Sequence, residues 1–207
     1  MTNLNHQQQA QLVAVERAAT ALASVDLSTR CAALGLSAPT DQGLVLRAFG
    51  QDVRLTRPDF AACGTDGKPV RLTDRLLALH YLTCDLPLVP TGRLITFREL
   101  PGGQFYFGPF SARTTRPLVE RIGNDLERLR KNLGRFDWCP AAVAAPEGLA
   151  ACLHALGRIE VTLVYHGGGR DDEEPPGAEV LFDSSIKRVF AAEDVAALAS
   201  RICLGLL

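Results

Sequence analysis

Apolar and polar positions alternate along this chain with two periods, and each period predicts its own kind of element. Over residues 6–23, Leu12, Val15, Ala19 and Leu22 recur at helical spacing among Gln8, Gln9, Gln11, Glu16 and Arg17, which predicts a one-sided amphipathic helix. A shorter helix follows from an Asp26 or Ser28 cap to Leu34, with Gly35 as its stop. The apolar runs at 44–49 and 53–55 flank Gly50-Gln51-Asp52 and predict a hairpin, since glycine supplies the positive φ of a tight turn. Thr73 is placed to cap a largely buried helix from about Asp74 to Cys84, built on Leu76, Leu77, Leu79, Tyr81 and Leu82. Residues 93–110, R-L-I-T-F-R-E-L-P-G-G-Q-F-Y-F-G-P-F, read as a second and central hairpin. Its strands are Leu94-Ile95-Thr96-Phe97 and Gln104-Phe105-Tyr106-Phe107, joined at Pro101-Gly102-Gly103. Beyond Pro117, Leu118, Ile122, Leu126, Leu129 and Leu133 predict one long helix with Glu127 and Lys131 paired at i, i+4 and Gly134 at its end. A short helix is expected at about 147–156, stopped by Gly157. Residues 159–165 alternate as a half-buried strand does, and 178–182 return beside them after a loop containing Gly167-Gly168-Gly169 and the acidic run 171–174. Glu193 and Asp194 open a last helix, favourably for its dipole, with Val195, Leu198 and Ile202 facing inward.

Together these elements predict an α+β fold, with an antiparallel or mixed sheet built from hairpins and helices packed on one face. The 207 residues read as a single domain, with 1–39 an N-terminal helical segment and 40–207 the α+β core. A hydrophobic content of 47% with 22% charged residues excludes extended disorder. The 22 basic and 23 acidic residues leave no field that would gather phosphate backbones, so nucleic acid is not an expected partner. There is no basic-then-apolar leader and no apolar run of about 18 residues, which places the protein in the cytoplasm with no membrane partner. Lys68, Lys131 and Lys187 are the only lysines, a bias that suggests a GC-rich bacterial genome. The six cysteines contain no C-x-x-C and read as scattered, reduced core thiols and not as a metal site.

Candidate chemistry gathers at two places. Arg93, Arg98 and Glu99 precede the Gly102-Gly103 turn, where two guanidinium groups beside an approachable backbone suit a carboxylate or phosphate ligand; the alternative is that Arg98 and Glu99 are salt-bridged into the fold. With strand alternation, Phe105 and Phe107 fill the core and Tyr106 joins the polar groups. Asp183-Ser184-Ser185 offers a carboxylate and two hydroxyls either to a ligand or to local backbone N–H groups as a cap or Asx turn. Dinucleotide, Walker and nucleophile-elbow patterns are absent. His80 reads either as a satisfied core residue or as a metal or corrin ligand, and His166 beside the acidic loop either as solvated or as part of a hard-cation site. The expected function is therefore a binding or accessory module that holds a small anionic ligand at Arg93, Arg98, Glu99, Gly102, Gly103, Tyr106, Asp183, Ser184 and Ser185. The rival is an enzyme using Glu99 or Asp183 as acid/base with Arg98 as electrostatic stabiliser, and a third class is a structural or interaction subunit.

The string P-T-G-R-L-I-T-F-R-E-L-P-G-G-Q-F-Y at 90–106, then L-F-D-S-S-I at 181–186 and E-D-V-A at 193–196, resembles a bacterial and archaeal family catalogued as domain of unknown function 3786. The resemblance runs from about residue 40 to the end and includes L-A-L-H-Y-L at 77–82. It names no activity. Some members carry an added iron–sulfur domain like that of corrinoid proteins, so the resemblance implies a link to anaerobic one-carbon or corrinoid metabolism. Lacking a cysteine cluster, this chain would meet such chemistry through a separate iron–sulfur or corrinoid partner protein.

Overall fold

A computed structural model describes residues 6–145, 147–168 and 175–207. The chain divides into two compact units, one ending at Leu88 and the other beginning at Val89.

In the first unit, α1 (His6–Ala23) buries Val15, Ala19 and Leu22 and packs on α3 (Leu72–Thr83). The second helix, α2 (Leu27–Leu34), starts as the sequence predicts. The Asp26 carboxylate accepts from the backbone N–H groups of Ser28 and Thr29, and Gly35, at φ +67°, closes the far end. The first hairpin is also present, as β1 (Gly43–Ala48) and β2 (Gln51–Thr56), with β3 (Ala61–Cys63) antiparallel beside β2. Its turn is Phe49-Gly50 and not Gly50-Gln51-Asp52, because Ala48 lies opposite Gln51; both turn residues have positive φ, as two-residue hairpin turns favour. Phe49 tolerates that conformation because its ring is only 6% exposed, so burial offsets the backbone cost. Helix α3 begins one residue before Thr73, with no side-chain cap, and buries Leu77, Leu79, Tyr81 and Leu82.

The second unit is an antiparallel sheet in the order β5-β6-β7-β8-β4, formed by β4 (Leu94–Thr96), β5 (Trp138–Pro140), β6 (Gly148–Leu156), β7 (Ile159–His166) and β8 (Gly177–Asp183). The helices are α4 (Gly103–Arg113), α5 (Thr115–Ile122), α6 (Leu126–Leu133) and α7 (Ala192–Gly205). Of these, α5 packs on β8, and α7 packs on α4 and α5 through a face that includes Val195, Leu198 and Ile202. The architecture is α+β, as the patterning predicts.

Three elements differ from expectation. The central segment is not a hairpin: β4 runs into a 3-10 turn, Phe97–Glu99, and Gln104–Phe107 lies in helix α4. Phe97 stacks on Phe110 with ring centroids 4.0 Å apart, and that contact needs the helical arm. Gly103 makes the tight entry possible, because a Cβ there would sit 1.9 Å from the Phe97 carbonyl oxygen. As a result Phe105, expected in the core, is 79% exposed and Tyr106 63%.

The expected helix at 147–156 is instead strand β6. Ala151, Leu153 and Ala155 alternate into the core at 0% exposure, and Gly148 passes under the Tyr165 carbonyl, where a Cβ would come within 2.0 Å. The expected long helix is two helices. Its path breaks at residues 123–125, where the Gly123 carbonyl accepts from the Tyr165 hydroxyl at 2.7 Å, the Asn124 side chain accepts from Gly168 N–H, and Asp125 caps α6 through Arg128 N–H. Glu127 and Lys131 both lie within α6 and keep their i, i+4 spacing, but the ion pair Glu127 makes is with Arg130 at i, i+3. The cysteines are also not uniformly internal: Cys31, Cys84 and Cys203 are buried, Cys63 and Cys152 half-buried, and Cys139 exposed. Among the described residues, no helix is long and apolar enough to cross a membrane.

Candidate functional site

The exit of β8 fixes the geometry of the candidate site. Antiparallel pairing sets Leu94 opposite Asp183, and Ser184 N–H donates to the Arg93 carbonyl at 2.8 Å, so the chain before β4 lies against the end of β8. Asp183 then accepts from three backbone N–H groups: Thr91 at 3.0 Å, Gly92 at 2.7 Å and Ser185 at 2.9 Å. The Thr91 hydroxyl also donates to it and lies 2.8 Å from the Ser184 hydroxyl. Partial burial pushes the Asp183 carboxyl up, but the hydrogen bonds from Ser185, Thr91 and Gly92 together outweigh burial and hold it down at about 2.

Glu99 is engaged in the same way. Thr96 N–H donates to its carboxylate at 2.8 Å, forming the capping box of the 3-10 turn, and the Arg93 guanidinium sits 3.1 Å away. The Thr96 amide first, and Arg93 beside it, hold this carboxyl below its ordinary range.

Arg98 is held differently. Its guanidinium lies over the Phe107 ring, 3.7 Å from the centroid, and it makes no ion pair among the described residues. Phe105 and Tyr106 project from the same helix into solvent. The structure thus collects Arg93, Glu99, Asp183, Ser184 and Ser185 into one connected set of contacts. Arg98 stands over α4, whose sequence includes Gly103 and Tyr106, and Gly102 is the N-cap of that helix, which no side chain caps.

Asp183 and Ser185 also line a cleft of about 210 Å³ whose walls include Gly92, Arg158, Glu160 and Thr162. Sequence reasoning missed Thr91, Arg158 and Glu160. Thr91, within P-T-G-R, is the one with a local signal, being a hydroxyl followed by glycine in a loop. His80 lies half-buried on α3, and His166 ends β7, while the acidic run at 171–174 expected beside it lies outside the described residues.

The fold and site define an α+β protein in which a carboxylate at the exit of β8 fastens the entry to β4, and β4 leads through a capped turn into a helix bearing an arginine–aromatic surface. The chain belongs to the family described as Domain of unknown function (DUF3786), with the match spanning residues 26–204 of the 207 and so starting before the resemblance at residue 40. No curated protein and no solved structure matches the chain.

Proposed function

We propose that this protein is a cytoplasmic binding or accessory module that takes an anionic group, a carboxylate or a phosphate, at Arg98 on the face of α4. One observation carries the reading. A guanidinium is stacked flat on Phe107 at 3.7 Å with no acidic partner among the described residues, so its N–H edge is free for a bidentate contact. The uncapped N-terminus of α4 favours the same sign of charge, and Tyr106 supplies an amphipathic neighbour. The anion belongs either to a small molecule or to a partner protein, and an iron–sulfur or corrinoid protein of anaerobic metabolism is the partner the family resemblance suggests.

The acid/base reading of Glu99 or Asp183 gains no support from this geometry. A general acid or base works best with a pKa near the operating pH, whereas both carboxyls are held low and hydrogen-bonded to backbone N–H groups.

Titration of labelled protein with inorganic phosphate, followed by amide NMR, tests the proposal. Saturable shifts are expected at Arg98, Gly103 and Phe107, and Arg98→Ala should abolish them while costing the fold only about 0.5–1 kcal/mol, the worth of an exposed cation–π contact. Equal shifts in Arg98→Ala and wild type, or a large loss of melting temperature in that variant, would refute it.

A further inference from the structure

Strands β5 and β6 bring Cys139 and Cys152 directly opposite each other. His154 N–H donates to the Asp137 carbonyl at 2.9 Å, and Ala141 N–H to the Ala150 carbonyl at 3.0 Å. By antiparallel alternation the cysteines therefore occupy a hydrogen-bonded position, where Cα atoms lie about 5.5 Å apart, within the range that a disulfide spans. In the β6–β7 register Cys152 lies opposite Thr162 and His154 opposite Glu160, so the Glu160 carboxylate is the diagonal neighbour of Cys152 on the same face of the sheet. His154, opposite Glu160, stands 3.2 Å from that carboxylate. Cys139 is exposed and Cys152 half-buried, so a reagent from solvent reaches one sulfur and finds the second behind it.

We propose that Cys139 and Cys152 are a redox-active dithiol that closes reversibly to a cross-strand disulfide on reaction with low-molecular-weight disulfides. Cys139 loses its proton to solvent, and its thiolate attacks one sulfur of the small disulfide, forming a mixed disulfide and releasing one small thiolate. The Cys152 sulfur then attacks the Cys139 sulfur, its proton passes to Glu160, and the second small thiolate leaves. Two protein thiols are oxidised by two electrons, and one small disulfide is reduced to two thiols. The order of attack follows from the environments: burial first, then the Glu160 charge and the neighbouring thiol, push Cys152 up to about 12, so it waits protonated as the resolving group. Closure ties the three-residue strand β5 covalently to β6, and exposed disulfides of this kind are the labile ones.

The test uses the full chain, reduced and then treated with oxidised glutathione, with intact mass and peptide mapping as readouts. Expected are a mass loss of two hydrogens, a linked Cys139–Cys152 peptide, and full reversal by dithiothreitol. Cys152→Ser should instead accumulate one glutathione on Cys139, and Cys139→Ser should yield no linked peptide. Glu160→Gln should slow the resolving step and leave the first step unchanged. A stable glutathione adduct on the wild-type protein, a linkage through Cys63 or a buried cysteine, or the absence of reaction at Cys139 would overturn the proposal.

Discussion

Replacing Asp183 by Asn tests whether the strand exit is fastened by a charge. The carboxylate accepts from Thr91, Gly92 and Ser185 amides, and an amide side chain must turn its NH2 toward at least one of these donors. A carboxyl held at about 2 against an ordinary value of 3.8 corresponds to a stabilisation of at most about 2.5 kcal/mol. Solvent on its open side reduces that to roughly 1–2 kcal/mol. The sign follows from the lowered value: the folded state binds the proton more weakly, so the contribution is complete above about pH 4 and is lost as the pH falls through about 2. Urea unfolding followed by the fluorescence of Trp138, the only tryptophan and a residue of the same unit, reads this directly. Asp183→Asn should be less stable than wild type by about 1–2 kcal/mol at pH 7, and the difference should narrow toward pH 3. A difference that is absent at pH 7, or that keeps its full size at pH 3, would refute the charged fastening.

Two further expectations concern the segments the patterning misread. Gly103→Ala should cost about 3 kcal/mol or more, because the added Cβ meets a backbone oxygen at 1.9 Å, whereas Gly102→Ala meets nothing and should cost only about 1–2 kcal/mol for its φ of +76°; thermal unfolding of the two variants orders them, and equal costs would contradict the helical entry. Tyr165→Phe should cost about 1–2 kcal/mol by removing the bond to the Gly123 carbonyl, again read by urea unfolding, with no effect expected if that carbonyl turns to water.

The elements legible in the sequence are those set by local signals. Asp26 and Gly35 bound α2, Gly50 anchors a hairpin turn, and residues 159–165 form strand β7, although it is buried on both faces from Val161 to Tyr165 and not half-buried as its alternation suggests. Residues 103–113 were not legible because their β propensity is real and what overrides it is tertiary: the Phe97–Phe110 stack and the close approach at Gly103. The spacing of Phe107 and Phe110, three apart, was the available helical signal. In β6 the period-two pattern of Ala151, Leu153 and Ala155 was present but hidden by its small side chains. At the site, residue types were legible and their partners were not. Asp183 binds Thr91 across 92 positions of sequence, and the Cys139–Cys152 pair needs two strands that patterning did not reveal.

Those partners form one continuous path through the second unit. Asp183 holds Thr91 and Gly92, the next residue Arg93 pairs with Glu99, and Glu99 caps the turn through Thr96. That turn carries Arg98, whose guanidinium rests on Phe107 of α4. The carboxylates of Asp183 and Glu99 bind backbone N–H groups, the Arg93 guanidinium pairs with Glu99, and the Arg98 guanidinium makes no ion pair among the described residues. A carboxylate that must stay ionised to hold a loop is poorly suited to trading protons with a substrate. A guanidinium held by a ring is well suited to receiving an anion, since its orientation is set before the ligand arrives and less freedom is lost on binding. Asp183 and Glu99, which the sequence offers as ligand-binding residues with an acid/base role as the rival, are in three dimensions hydrogen-bonded into the path that runs to Arg98.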